Sequence, residues 1–168
     1  MAKPSLLVAL ATALALSLPA AAAAPERSAT VTCEDAASGR ADSNWRSHAT
    51  AAGPFGFSGP GRNFKKRAFK NNQGFFSTKV PAILEGSTPV TVRVSDRDVN
   101  RAGLTHGHGG DRVANTLAEI RFEPCPRQVS TGWPGGFVLR NRKPVKLHVQ
   151  VEGDAGWAII VVGKRKRR

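Results

Sequence analysis

Tyrosine is absent from this 168-residue chain, methionine occurs only at position 1, and cysteine occurs twice. Acid is scarce as well: 12 Asp and Glu stand against 25 Lys and Arg, a formal net charge of +13. Two cysteines exclude a disulfide-dense miniprotein, in which several bridges replace a small core. No segment keeps a 3.6-residue apolar period for three turns, which argues against a helical bundle. No internal repeat is present. The length suits one domain and is too short for two ordinary ones. Signatures of nucleotide binding and hydrolysis are missing: there is no P-loop, no Rossmann glycine pattern, no His-Glu-x-x-His and no Gly-x-Ser-x-Gly. Ser58, in Gly56-Phe57-Ser58-Gly59, lacks the spacing of a nucleophile elbow.

What is present begins with an address. Lys3 precedes an apolar run at residues 6–18, Pro19 follows it, and residues 20–24 are all alanine. A short positive segment, an apolar stretch and small residues at a cleavage site read as a secretory signal peptide. The run of 13 residues is short of the ~20 that a helix needs to cross a bilayer. The expected organisation is a signal peptide at 1–24, a domain at 25–163 and a basic tail at 164–168. In an oxidising compartment Cys33 and Cys125 have only each other, so one disulfide enclosing most of the mature chain is expected.

The mature chain alternates like strands. Val90, Val92 and Val94 are interleaved with polar residues, as are Val145, Leu147, Val149 and Val151. Period two with β-branched residues marks half-buried strands. Further strands are expected at 29–33, 49–57, 75–84, 137–139 and 157–162, and residues 114–122 read as a strand with a short helix at 113–120 as the competing reading. Turn signals separate them, among them Gly53-Pro54, Glu85-Gly86-Ser87, Pro134-Gly135-Gly136 and Glu152-Gly153-Asp154. Seven or eight short strands at this spacing predict an all-β fold, a single antiparallel sandwich of immunoglobulin-like or similar Greek-key type, closed by one disulfide.

Two clusters carry candidate chemistry. Thr105-His106-Gly107-His108-Gly109-Gly110-Asp111 offers His106, His108 and Asp111 as ligands for zinc or copper(II), against the reading of a surface loop that carries two histidines. Asp96 and Asp98 are spaced as same-face carboxylates but sit where a strand ends, so a turn is the expected role. No cofactor is expected.

Charge is the other informative feature. No acid lies between Asp42 and Glu85, yet seven bases do: Arg46, Arg62, Lys65, Lys66, Arg67, Lys70 and Lys79, with Phe64 and Phe69 among them. The chain ends in Lys164-Arg165-Lys166-Arg167-Arg168. Setting aside Lys3 and these five leaves 19 bases and 12 acids. Such blocks attract polyanions, which for a secreted protein means anionic envelope polymers, anionic lipid or extracellular DNA. A solvated coat is the bland alternative. Residues 157–162 are apolar and precede the basic tail; a final core strand is expected there. Trp133 is expected to cover the core edge near Cys125, an exposed carbohydrate platform being the functional alternative.

Several runs resemble those of secreted actinobacterial proteins of small β-sandwich type: Gly53-Pro54, Lys79-Val80-Pro81 leading into Val90-Thr91-Val92, Arg121-Phe122-Glu123-Pro124-Cys125, and Thr131-Gly132-Trp133-Pro134-Gly135-Gly136-Phe137-Val138. The resemblance spans roughly 33–151. It implies a fold and an extracellular or cell-wall location, and no activity, since the group has none established. Similar chains often carry a second cysteine pair toward the C-terminus; here residues 143–145 and the basic tail stand in that region, and the bridge is absent. The expectation is a non-catalytic secreted or cell-surface protein that binds an anionic envelope polymer or lipid surface. An accessory cell-surface protein with a protein partner and a metal-binding protein built on His106, His108 and Asp111 are the alternatives.

Overall fold

The computed structural model describes residues 27–37, 44–59, 69–107 and 110–163. Residues 1–24, read above as a signal peptide, most of the basic segment, His108 and the basic tail lie outside them. The chain is mostly β. Its strands are β1 (Ser28–Val31), β2 (Ala49–Ala52), β3 (Phe55–Ser58), β4 (Phe69–Lys70), β5 (Phe76–Lys79), β6 (Ala82–Glu85), β7 (Val90–Val94), β8 (Ala102–His106), β9 (Glu119–Phe122), β10 (Ser130–Trp133), β11 (Gly135–Leu139), β12 (Val145–Val151) and β13 (Ala158–Val162). A single helical turn, α1 (Trp45–His48), and two 3₁₀ turns complete the described secondary structure. No helix among the described residues is long and apolar enough to cross a membrane.

Three sheets form, where a two-sheet sandwich was expected. One has five strands, ordered β1-β9-β7-β12-β13; the others have four each, β10-β6-β3-β2 and β4-β5-β11-β8. Pairing is antiparallel except between β1 and β9, which run parallel. The two four-stranded sheets are linked through long strands that pass from one to the other. Trp133 faces Ala82 in the first and Gly136 faces Lys79 in the second, so the register is the same on both sides and Pro134 falls opposite Pro81. Proline has no N–H to donate. Two opposed prolines therefore interrupt the ladder between residues 76–85 and 130–139 at one level, while the Val80 N–H still donates to the Gly135 carbonyl at 2.8 Å.

The alternation in the sequence decides what faces inward. Val90, Val92, Val94, Ile120, Phe122, Leu147, Val149, Ile160 and Val162 come from the five-stranded sheet, and Phe55, Phe57, Leu84, Leu104, Trp133, Phe137 and Leu139 from the other two; all are buried in one core. A file of rings crosses it. Phe137, Phe57, Phe55, Phe122 and Trp133 follow one another with centroids 4.9, 5.1, 4.9 and 5.2 Å apart, within the range of favourable edge and tilted contacts.

Both ends of β1 are tied down. Before it, the Arg27 guanidinium donates to the carbonyls of Val113, Thr116 and Val99. After it, Cys33 is bonded to Cys125, whose partner strand β9 ends at Phe122 opposite Val31. The Trp133 indole, 1% exposed, donates its N–H to the Thr32 carbonyl at 2.7 Å, and the Cys125 N–H donates to Thr131 Oγ1. Trp133 thus packs beside the disulfide as expected, and its burial removes the carbohydrate-platform reading.

Trp45 covers the opposite face of the β10-β6-β3-β2 sheet. It lies against Gly56, where a Cβ would come 2.7 Å from the indole and 2.8 Å from the Ala51 Cβ. A residue without a side chain is what lets the ring sit flat on the strands. We expect Gly56→Val to lift Trp45 and to cost about 1–3 kcal/mol, the usual range for overpacking. Urea unfolding monitored together with a red shift of tryptophan emission measures both effects; an unchanged midpoint would show that the seat is not tight.

Candidate functional site

The two segments that the sequence singles out for chemistry meet at one groove. It has a volume of about 870 Å³ and lies over the β4-β5-β11-β8 sheet and its proline step. One wall carries Phe69 and Asn71, the other Gly107, Gly110 and Asp111, and Lys79, Thr105 and Pro134 lie between them. The end of the acid-free basic segment and the glycine-rich histidine loop therefore share a border, although 40 residues separate Asn71 from Asp111.

Hydrogen bonds across one end fix the walls. Asn71 Nδ2 donates to the Asp111 carbonyl at 2.6 Å. Asn71 Oδ1 accepts from the N–H groups of Gln73 and Phe75, which shapes the turn after β4. Arg112 donates to Gln73 Oε1 at 2.7 Å, and Asn115 Nδ2 to Asp111 Oδ1 at 3.2 Å. Along the sheet, Gly136 pairs with Lys79 on one side and Thr105 on the other. A Cβ at Gly136 would lie 1.9 Å from the Thr78 carbonyl oxygen, so only glycine allows this approach.

Lys70 and Lys79 are exposed. Among the described residues neither has an acidic partner, in contrast to Arg46 with Glu85, Arg101 with Asp98, and Arg121 with Glu123 and Glu152. Phe69, one residue before Lys70, is 76% exposed on the edge strand β4. An uncovered aromatic close to exposed lysines presents apolar surface and positive charge together, which suits an amphiphilic or polymeric anion.

Arg62, Lys65, Lys66, Arg67 and Lys164, Arg165, Lys166, Arg167 and Arg168 lie outside the described residues, as does His108. His106 and Asp111 are described, and they do not meet. His106 Nε2 is 3.8 Å from Asp35 Oδ1, while the Asp111 carboxylate is held by Asn115. No group of three His, Cys, Asp or Glu residues among those described is placed to hold a metal ion. The Asp35 carboxyl is lowered from its ordinary value by the Thr32 N–H, against the opposing effect of burial and with help from the neighbouring His106. Asp96 and Asp98 form no catalytic pair: Asp96 is exposed, and Asp98 is buried in a turn where it accepts from Arg101 and the Lys146 N–H.

No family model, curated protein or solved structure matches the chain.

Two features escaped the sequence reading. The pairing of β4 with β5 covers only two residues, too few for any periodicity. The segment at 157–162 reads as a buried core strand, but only Ile160 and Val162 face inward; Trp157 is 37% and Ile159 55% exposed. The odd-numbered positions of that run were legible as an outer face only by extending the period-two rule through an all-apolar stretch.

Proposed function

We propose that the chain is a secreted or cell-surface binding module, not an enzyme, and that it engages an anionic envelope polymer through the groove and the basic segment that precedes β4 in the sequence. The observation that carries this is a groove lined by Lys79 and the exposed Phe69, with Lys70 next to Phe69 on the edge strand, both lysines without an acidic partner among the described residues, at the end of the basic part of the acid-free run from residue 43 to 84. The bonded Cys33–Cys125 pair is compatible with an extracellular location. We further read the two four-stranded sheets as one layer bent at Pro81 and Pro134, and the whole as a single sandwich of immunoglobulin-like or similar Greek-key type. That reading agrees with the small secreted β-sandwich proteins whose sequence runs this chain resembles.

The reading predicts strongly salt-dependent binding. Retention on immobilised polyphosphate should give an affinity that falls linearly with salt on logarithmic axes. Lys70→Gln with Lys79→Gln should make that slope shallower by about one unit per lysine, and deletion of residues 164–168 should shallow it further. Slopes that stay the same in the double variant would remove the groove from the account. Salt-insensitive capture of one protein partner would favour the accessory role instead.

A further inference from the structure

The outer face of the five-stranded sheet differs in character from the groove. Of the three tryptophans, Trp45 and Trp133 are buried at 3% and 1% exposure, and Trp157 keeps 37% of its surface open. It stands at the start of β13, beside a row that crosses the sheet: Ile159 is paired with His148, His148 with Arg93, and Arg93 with Glu119. The Arg93 guanidinium lies over the Trp157 ring, 5.1 Å from its centroid, and the His148 ring is 6.1 Å away. The indole is therefore held from one side and still meets solvent.

Among the described residues the charges of this face cancel. Arg93, Lys146 and Arg121 are accompanied by Glu119, Glu123 and Glu152, and Arg121 is bonded to the last two. On a chain with a net charge of +13, a balanced face is the one least suited to a polyanion. What it offers is a fixed aromatic plane, an exposed aliphatic neighbour in Ile159, and hydrogen-bonding groups from His148, Gln150 and Thr91 in adjacent positions.

We propose that this face binds a neutral oligosaccharide, with Trp157 as the stacking platform. A pyranose ring presents an apolar C–H face to an indole and a rim of hydroxyls to polar side chains, which is the pattern displayed here. Arg93 holds the indole before any ligand arrives, so little side-chain freedom remains to be lost on binding. The site is separate from the groove and does not depend on the reading of it.

The test uses the full mature chain and two neutral probes, cellohexaose and hexa-N-acetylchitohexaose, with polyphosphate as the charged comparison. Trp45 and Trp133 are out of reach of solvent, so a saturable change in tryptophan emission reports on Trp157. At least one neutral probe should bind at millimolar concentration or below. Trp157→Ala should weaken that binding about tenfold or more, the usual loss when a stacking ring is removed, and Trp157→Phe should recover part of it. Polyphosphate retention should be unchanged in both variants. A thermal scan verifies that both variants remain folded at the temperature of the binding assay. Failure of both neutral probes to bind wild type overturns the proposal. So does equal binding by Trp157→Ala, or a loss of polyphosphate rather than sugar binding in that variant, which would assign the face to anions.

Discussion

Replacing both bridged cysteines, Cys33→Ser with Cys125→Ser, should lower stability by roughly 4–5 kcal/mol and the melting temperature by roughly 15–20 °C. The bond joins residues 92 apart, so in the unfolded chain it closes a loop that holds most of the domain; losing it frees that ensemble. The native state loses something more local. β1 is an edge strand with four paired residues, bonded on one side only to β9. Its remaining anchors are the Arg27 guanidinium before it and the Trp133 indole on Thr32 after it. Amide exchange should therefore accelerate first in β1 and only later in β7 and β12. Cys33 is exposed, so reductant should reproduce the double variant without prior unfolding. Denaturant titrations of wild type with and without reductant, set beside the double variant, check the point. A difference below about 1 kcal/mol would show that the β1–β9 pairing holds by itself and that the bridge is redundant, outside the range that such loops give.

The fold was legible where one face of a strand is wet. β7 and β12 alternate strictly between inward valine or leucine and outward polar residues, and their observed bounds, Val90–Val94 and Val145–Val151, coincide with the alternation. Residues 114–122 satisfied both competing readings in part: a 3₁₀ turn at Val113–Asn115 and a strand at Glu119–Phe122. The stretch 75–84 reads as one strand and is paired in one register, yet it divides at Pro81 because a second proline stands opposite. That coincidence belongs to tertiary pairing and cannot be seen in either segment alone. The same holds for β8: Ala102-Gly103-Leu104 shows no clean period, and its glycine is required because a Cβ would meet Thr116 Oγ1 at 1.6 Å. The site was legible as two separate segments, one basic and one rich in histidine and glycine. Their common border depends on Asn71 reaching Asp111, a long-range contact with no local signature. Trp133 is buried close to the disulfide as its sequence context implies, whereas Trp157, read as part of a core strand, is 37% exposed; it precedes a run of apolar residues whose two faces composition does not distinguish.

Asp98→Ala should cost about 3–5 kcal/mol, the loss expected when one member of a buried ion pair is removed. The Asp98 side chain is 5% exposed and the Arg101 side chain 21%. One carboxylate oxygen accepts both Nη2 and Nε of Arg101, at 2.8 and 3.1 Å, and the other accepts the Lys146 N–H at 2.7 Å. Arg101 goes on to donate to the carbonyls of Lys143 and Pro144. This single carboxylate thus binds the β7–β8 turn to the start of β12, beside the Ser95 N–H that donates to the Lys146 carbonyl at 3.0 Å. Asn keeps the shape but turns an amide N–H₂ toward donors, so Asp98→Asn should cost less, about 1.5–3 kcal/mol for a charged hydrogen bond. The pH dependence follows from the same geometry. Burial pushes the Asp98 carboxyl up, but the Lys146 N–H and the Arg101 guanidinium outweigh it, and the group titrates below its ordinary value. Its unfolded counterpart titrates near pH 4, so the stabilisation is complete above that value and disappears as pH falls from there through the lower native value. The gap between wild type and Asp98→Asn should accordingly be constant from pH 5 to 7 and narrow below about pH 4, where a protonated acid and an amide differ little. Urea midpoints for both proteins across that range decide it; a gap that widens on acidification would mean that the carboxyl is not the charged partner of Arg101.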